Sequence, residues 1–316
     1  LDTFAYTKSY YNLCSEKGAV NDDYLFLVAN RRRQHQKMPA RLFTIFKKYP
    51  PSFFLLTIHH SVQINKDYLK LTLPDYIVST AFYAGLRLCA DDQRFDFFRK
   101  PPVLPNHGII AFDMDSTFVE EEGVDEIARI LGISEKITTL TREAMEGKID
   151  FDTSFTRRIG MLKGTHKDIL HQVCEQMTLS PGLATILPIL KEKGFKTAII
   201  SGGLDIFTER LKEKYHLDFS FSNSVSIQND VLTDTIALPI MNAEKKKQTL
   251  INLAIKLTIS RENIIACGDG ANDIPMLLHA GNGVAWKAKP KTREKIANQI
   301  NFNGFESLLF FIEEKL

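Results

Sequence analysis

The stretch Gly108-Ile109-Ile110-Ala111-Phe112-Asp113-Met114-Asp115-Ser116-Thr117 decides the fold of the larger part of this chain. Five residues without a charge form a short apolar run of strand length, and two carboxylates one position apart follow it at once. A continuous apolar run bounded by turn residues reads as a parallel strand buried on both faces. In open α/β sheets the crevice beyond the carboxyl ends of such strands is where ligands bind. Two acids on a turn there can face a common centre and share a divalent cation through hard oxygen ligands. The same residues also serve an Asx turn and a Ser/Thr helix cap, so the motif taken alone fits either use.

Two further segments repeat the arrangement. Asn263 to Cys267 is apolar after its first residue and leads into Gly268-Asp269-Gly270-Ala271-Asn272-Asp273, where two glycines permit a tight turn and two more acids reach the same sheet edge. Lys196 to Ile200 leads into Ser201-Gly202-Gly203, ahead of a helical stretch Asp205 to Lys214. A hydroxyl with backbone N–H groups at a helix N-terminus is an anion seat. Lys246, beside the expected helix Lys247 to Lys256, offers a cation for the same anion, although a Lys245-Lys246-Lys247 run also fits a solvated face.

Between the first two of these strands in the chain, Val124 to Met177 is helical in pattern with no convincing strand, which predicts an inserted helical cap over about 124–180. Phe219 to Ile227 and Val231 to Ile236, joined by Gln228-Asn229-Asp230, predict a β-hairpin. Upstream, the proline-rich Arg99 to His107 forbids a continuous helix or central strand and marks a domain boundary. The N-terminal segment reads as βαββαβ: Tyr24 to Ala29, a helix over Pro39 to Tyr49, Phe53 to Ile58, Tyr68 to Leu73, a helix over Tyr76 to Leu88, and Phe95 to Phe98. That order is the ferredoxin-like α+β arrangement. The expected domains are therefore 1–104, ferredoxin-like, and 105–316, a Rossmannoid α/β domain with its cap.

Composition narrows the function. The 316 residues carry 40 Lys+Arg against 38 Asp+Glu, a net charge of +2, which argues against a nucleic-acid binder driven by phosphate neutralisation. An apolar content of 44% with 25% charged residues is ordinary globular usage. No apolar run approaches the roughly 18 residues of a membrane span. The cysteines at 14, 89, 174 and 267 show neither zinc spacing nor disulfide density. With no secretory segment visible, a reducing, cytoplasmic setting is expected, and Leu1 in place of Met leaves the native start open. His59-His60 has no matching third ligand and, like Trp286, is expected in packing or at the surface.

The order Asp-x-Asp-Ser-Thr, Ser-Gly-Gly, Lys and Gly-Asp-Gly-Ala-Asn-Asp resembles the haloacid dehalogenase superfamily of phosphotransferases. Residues 108–316 are similar to its phosphoserine phosphatases in particular. That closer likeness rests on Asp125-Glu126-Ile127-Ala128, Glu143-Ala144-Met145-Glu146-Gly147, Phe151, Arg158, Leu162-Lys163-Gly164 and Pro181-Gly182. The resemblance implies a Mg²⁺-dependent hydrolysis of O-phospho-L-serine to L-serine and phosphate, the last step of serine biosynthesis. It makes Asp113 the nucleophile and Asp115 the general acid/base. It puts the Asp113 carboxylate, the Asp115 backbone carbonyl and the Asp269 carboxylate on the metal, with Asp273 supporting the metal shell.

By the same resemblance Ser201, the Gly202 N–H and Lys246 hold the phosphoryl oxygens, with Asn272 near them. Glu122 takes the substrate ammonium and Arg158 its carboxylate, while Met145 and Phe151 wall the site. The chemistry agrees: a carboxylate attacking a dianionic phosphate needs a cation to offset repulsion. Another small phosphomonoester is the alternative substrate. A non-catalytic amino-acid sensor is the remaining rival, against which the intact acidic set argues. The N-terminal segment resembles an ACT-like module, but Pro39-Ala40, preceded by Arg31-Arg32-Arg33, stands where a ligand-binding loop shows Pro-Gly. A structural or homodimer-forming use is expected of it rather than serine sensing.

Overall fold

The computed structural model describes residues 24–29, 55–61, 66–72, 80–100 and 107–312. The chain divides into two compact units, Leu1–Leu104 with Asn298–Leu316, and Pro105–Ala297.

In the first unit, β1 (Tyr24–Ala29), β2 (Leu55–Ser61), β3 (Lys66–Thr72), α1 (Thr80–Gln93) and β4 (Phe95–Lys100) follow one another. β1 pairs antiparallel with both β3 and β4, and β2 with β3, giving the order β2-β3-β1-β4. That is the strand order of the ferredoxin-like arrangement. His59-His60 falls on β2. The helix expected over Pro39 to Tyr49, with Pro39-Ala40 and Arg31-Arg32-Arg33, lies outside the described residues.

The carboxyl end departs from the expected 105–316 domain, because Asn298–Leu316 groups with the first unit. The strand Asn298–Ile300 pairs antiparallel with β4 through Gln299 and Phe97. Buried Asp96 on β4 then accepts hydrogen bonds from the backbone N–H groups of Asn301 at 2.7 Å and Asn303 at 2.9 Å, and from the Asn303 amide at 2.8 Å. Phe98 packs on Phe310 and Phe311 with ring centroids 6.0 and 5.3 Å away. A buried carboxylate must be satisfied by donors, and here the donors come from the carboxyl-terminal segment.

The second unit is α/β. Its strands β5 (Ile109–Phe112), β6 (Lys196–Leu204), β7 (Phe219–Asn223), β10 (Ile264–Gly268) and β11 (Asn282–Trp286) form a parallel sheet in the order β11-β10-β5-β6-β7. Ile109, Ala111, Ala198, Ile200, Ile264 and Ala266 pack against Leu250 and Leu253 of α8 (Ala243–Lys256) and Met276 and Leu277 of α9 (Ile274–His279). The chain runs outward from β5 to β6 and β7, then returns to β10 on the other side. The reversal at β5 and β10 makes their carboxyl ends the expected ligand crevice. Trp286 is buried at the end of β11.

Four helices fill the insertion after β5: α2 (Gly123–Ile130), α3 (Ser134–Met145), α4 (Phe151–Met161) and α5 (Lys167–Gln176). α6 (Leu183–Glu192) returns the chain to β6, α7 (Asp205–Tyr215) follows it, and α10 (Pro290–Lys295) follows β11. The expected Phe219 to Ile227 strand is in fact two. Asn223 is buried, donating to the Gly202 carbonyl at 2.8 Å and accepting from the Met241 N–H at 2.7 Å, and it ends β7 in the parallel sheet.

Only β8 (Val225–Gln228) and β9 (Val231–Ile236) make the hairpin. Its central residues Asn229 and Asp230 have φ of 51° and 63°, as a two-residue turn between twisted strands requires. The hairpin lies on the α4–α5 connection, with Gly164 and Leu232 N–H groups donating to the Leu232 and Thr165 carbonyls, each at 2.8 Å. Among the described residues no helix is long and apolar enough to cross a membrane.

Candidate active site

Asp113 begins the turn after β5, and its Oδ1 accepts from the Met114 N–H at 2.8 Å. Ser116 takes a left-handed φ of 54°, which non-glycine residues adopt sparingly and which is found at functional turns. The turn closes through Phe118 N–H to the Asp113 carbonyl and Val119 N–H to the Met114 carbonyl, both at 3.1 Å. Asp115 accepts from the Gly123 N–H at 2.8 Å, so the second acid is tied to the start of α2.

Beside it, β10 ends in Gly268, where a side chain would meet the Asp273 carboxylate carbon at 2.5 Å; only glycine allows Asp273 to fold back there. Asp273 Oδ2 accepts from the Gly270 N–H at 2.9 Å. Asn272 folds over the same glycine.

Lys246 joins the two turns. It lies in the first turn of α8 and is fully buried, donating from Nζ to Asp113 Oδ1 at 2.6 Å and to Asp273 Oδ1 at 2.7 Å. The solvated alternative for this lysine is thereby excluded. Burial works against its charge, but Asp113 and Asp273 prevail and raise its pKa. Burial also pushes Asp113 well above the ordinary carboxylate range, with Asp273 and Asp269 adding to the rise and Lys246 opposing it. Asp269 is pushed to about 6 by burial, against the pull of Lys289. Asp115 is pushed to about 7 by burial and by Glu122.

Oxygens of Asp113, Asp269 and Asp273 lie within 4.8 Å of one another. Three hard oxygen donors crowded into one buried site, two of them, Asp113 and Asp269, pushed above the ordinary carboxylate range chiefly by burial, fit a divalent cation.

Ser201, Gly202 and Gly203 are part of β6 itself, which runs to Leu204, and do not sit in a loop at the helix start as expected. Ser201 Oγ accepts from the Gly203 N–H at 2.9 Å. A side chain on Gly203 would stand 2.9 Å from Asp115 Oδ2, so the bare backbone is what lets the two segments meet.

From the cap side, the Phe151 ring packs against Gly202. The Met145 side chain lies outside the described residues. Glu122 accepts from Ser116 Oγ at 2.8 Å. It is therefore held by the turn that follows β5, although it belongs to an acidic run. Arg158 on α4 has a buried Nε with no hydrogen-bond partner, and Asp125, Asp115 and Glu122 are the carboxylates whose charge it feels.

Sequence reasoning missed Lys289, whose Nζ is 3.0 Å from Asp269 Oδ2 and 3.9 Å from Glu122 Oε1. Nothing local marked it beyond the Pro290 that opens α10. It also missed Asn242, although Asn ahead of Ala-Glu is a helix-start signal.

A buried lysine between two acidic turns at the switch point of a parallel sheet, roofed by a helical insertion, defines a hydrolase of the α/β class built around anion chemistry. The model of the haloacid dehalogenase-like hydrolases matches residues 108–281, and the chain belongs to that family. It is 39% identical over 219 residues to the phosphoserine phosphatase of Haemophilus influenzae, covering 69% of each chain. A crystal structure of a haloacid dehalogenase family hydrolase from Salmonella enterica serovar Typhi superposes with a TM-score of 0.87 at 58% identity, over 93% of this chain and 100% of that one. A structure described as a phospho-aspartyl intermediate analogue of phosphoserine phosphatase superposes with a TM-score of 0.61 at 35% identity, over 66% of this chain and 99% of that one.

Proposed function

We propose that this protein hydrolyses O-phospho-L-serine to L-serine and phosphate through an aspartyl phosphate on Asp113. The observation that carries the substrate is Arg158: a buried guanidinium nitrogen on the cap helix whose Phe151 touches the Ser201-Gly202 segment lacks a hydrogen-bond acceptor from the protein, and an acceptor with negative charge suits it best. A substrate carboxylate meets that need, with Glu122 taking the ammonium. The Haemophilus influenzae relative and the phospho-aspartyl analogue support the same reading.

In this mechanism the Asp113 carboxylate attacks phosphorus while Ser201, the Gly202 N–H and Lys246 hold the phosphoryl oxygens, with Asn272 beside them. Asp115, half-buried and with its pKa raised to about 7, carries a proton for the departing serine alkoxide. Once ionised, it takes a proton from the water that cleaves the aspartyl phosphate. Lys246, already 2.6 Å from Asp113, opposes the rise in that carboxyl's pKa and so favours the ionised nucleophile. Mg²⁺ would be held by the Asp113 and Asp269 carboxylates and the Asp115 carbonyl, supported by Asp273, and would offset the charge between carboxylate and phosphate. For the N-terminal unit the same reading keeps a structural or homodimer-forming, ACT-like use rather than serine sensing.

Phosphate release from a panel of phosphomonoesters, with Mg²⁺ and with excess chelator, tests the reading. Phosphoserine should be the preferred ester and chelator should silence it. Preference for an ester lacking the amino acid moiety would overturn the substrate, and undiminished release in chelator would overturn the metal.

A further inference from the structure

The first turn of α4 touches the core at two places. Phe151 packs on Gly202. The next residue, Asp152, accepts from the Asn242 amide, with Nδ2 3.1 Å from Oδ1 and 3.4 Å from Oδ2. Asn242 caps α8: its Oδ1 accepts from the Lys245 N–H at 3.1 Å and its carbonyl from the Lys246 N–H at 2.8 Å. One side chain thus ends the helix that carries Lys246 and grips the helix that carries Arg158.

Asp152 is not needed to cap its own helix. Asp150 does that, with Oδ1 accepting from the Thr153 N–H at 2.8 Å and Oδ2 from the Thr153 hydroxyl at 2.9 Å. The carboxylate of Asp152 is left for Asn242.

We propose that Asp152 is a positioning residue that fastens α4 to the N-terminus of α8 through Asn242 and so sets the spacing between Arg158 and the phosphate-holding Ser201, Gly202 and Lys246. The proposal rests on the reading of Arg158 as the partner of the substrate carboxylate. A substrate held at both ends is sensitive to that spacing, because a misplacement of an ångström or so is enough to lose a hydrogen bond at one end. A substrate held only by its phosphate is not.

The test uses the full-length protein and three variants. Asp152→Ala removes the acceptor. Asn242→Ser keeps a capping oxygen for α8 but is too short to reach Asp152. Asp152→Asn keeps an oxygen for the Asn242 amide. The first two should raise KM for phosphoserine by roughly 5- to 20-fold with kcat within about 2-fold, as expected for one part-exposed bond to a charged acceptor. The third should recover most of the loss, and the Asp152→Ala/Asn242→Ser double variant should be no worse than the poorer single.

Amide hydrogen exchange without substrate should quicken over 151–161 in the first two variants. Unchanged KM in both singles, or losses that add in the double, would overturn the proposal. If the parent itself ignores phosphoserine, the substrate reading falls on its own; unchanged exchange over α4 would then overturn the fastening.

Discussion

Lys246 and Asp113 stand 133 residues apart in the chain and 2.6 Å apart in the structure, with Asp273 2.7 Å from the same ammonium. All three are buried, so the lysine is the charge that makes two neighbouring carboxylates tolerable. Breaking a buried pair by removing one partner leaves uncompensated charge and costs about 3–5 kcal/mol. Lys246→Met should destabilise the metal-free protein by that order in urea denaturation at pH 7.5, and Lys246→Met/Asp273→Asn should recover part of it. A loss under about 1 kcal/mol would mean that water screens the cluster.

Asp113→Asn tests the covalent step. The amide fits the same space and its oxygen can still accept from Met114 N–H, but it is a poor nucleophile. Turnover should fall by roughly 10⁴-fold or more while circular dichroism is retained. Activity comparable to the parent would rule out attack by this residue.

Arg158→Ala should lower kcat/KM for phosphoserine by roughly 10- to 150-fold, the loss of about 1.5–3 kcal/mol expected for a charged hydrogen bond. An aryl phosphate, having no carboxylate, should lose little. Equal losses on the two substrates would make Arg158 a structural residue of the cap.

The raised pKa of Asp115 predicts a pH dependence of stability. Its carboxyl titrates near 3.8 when unperturbed and at about 7 in the folded protein. Between those values the native state binds the proton more tightly than the unfolded chain. Stability from this group therefore falls as pH rises through the window, and the penalty is complete above about pH 7. Asp269, raised to about 6, acts in the same direction. Asn at position 115 mimics the neutral acid at every pH. Without metal, Asp115→Asn should melt with the parent near pH 4 and on the order of 5 °C above it at pH 8. A difference that does not change across the series would show that Asp115 is not perturbed.

The core of the site was legible because its parts are local. An apolar run ending in Asp113-Met114-Asp115, or in Gly268-Asp269-Gly270, carries strand, turn and ligand chemistry within ten residues. The helical character of the insertion, though not its division into four helices, was legible from its pattern, and the Asn229-Asp230 turn from its tolerance of left-handed backbone. By contrast Glu122 and Arg158 could be read either as binding residues or as solvated charges, since sequence carries no record of which neighbours face them.

What the amino-acid sequence determined by itself was the strands β5, β6 and β10 and the placing of the acidic turns at the ends of β5 and β10, since hydrophobic period and turn chemistry act over a few residues. Tertiary structure alone decided that Lys246 is buried between Asp113 and Asp273, that Arg158 lacks a partner for its Nε, and that Lys289 reaches Asp269. It also decided that Asn223 splits one expected strand into a sheet strand and a hairpin resting on the cap, and that the segment from Asn298 completes the first unit. Apart from Arg158, each of these brings together groups separated in the chain. The choice of partner depends on which polar atoms the folded core buries and must satisfy, and no local pattern of residues encodes that.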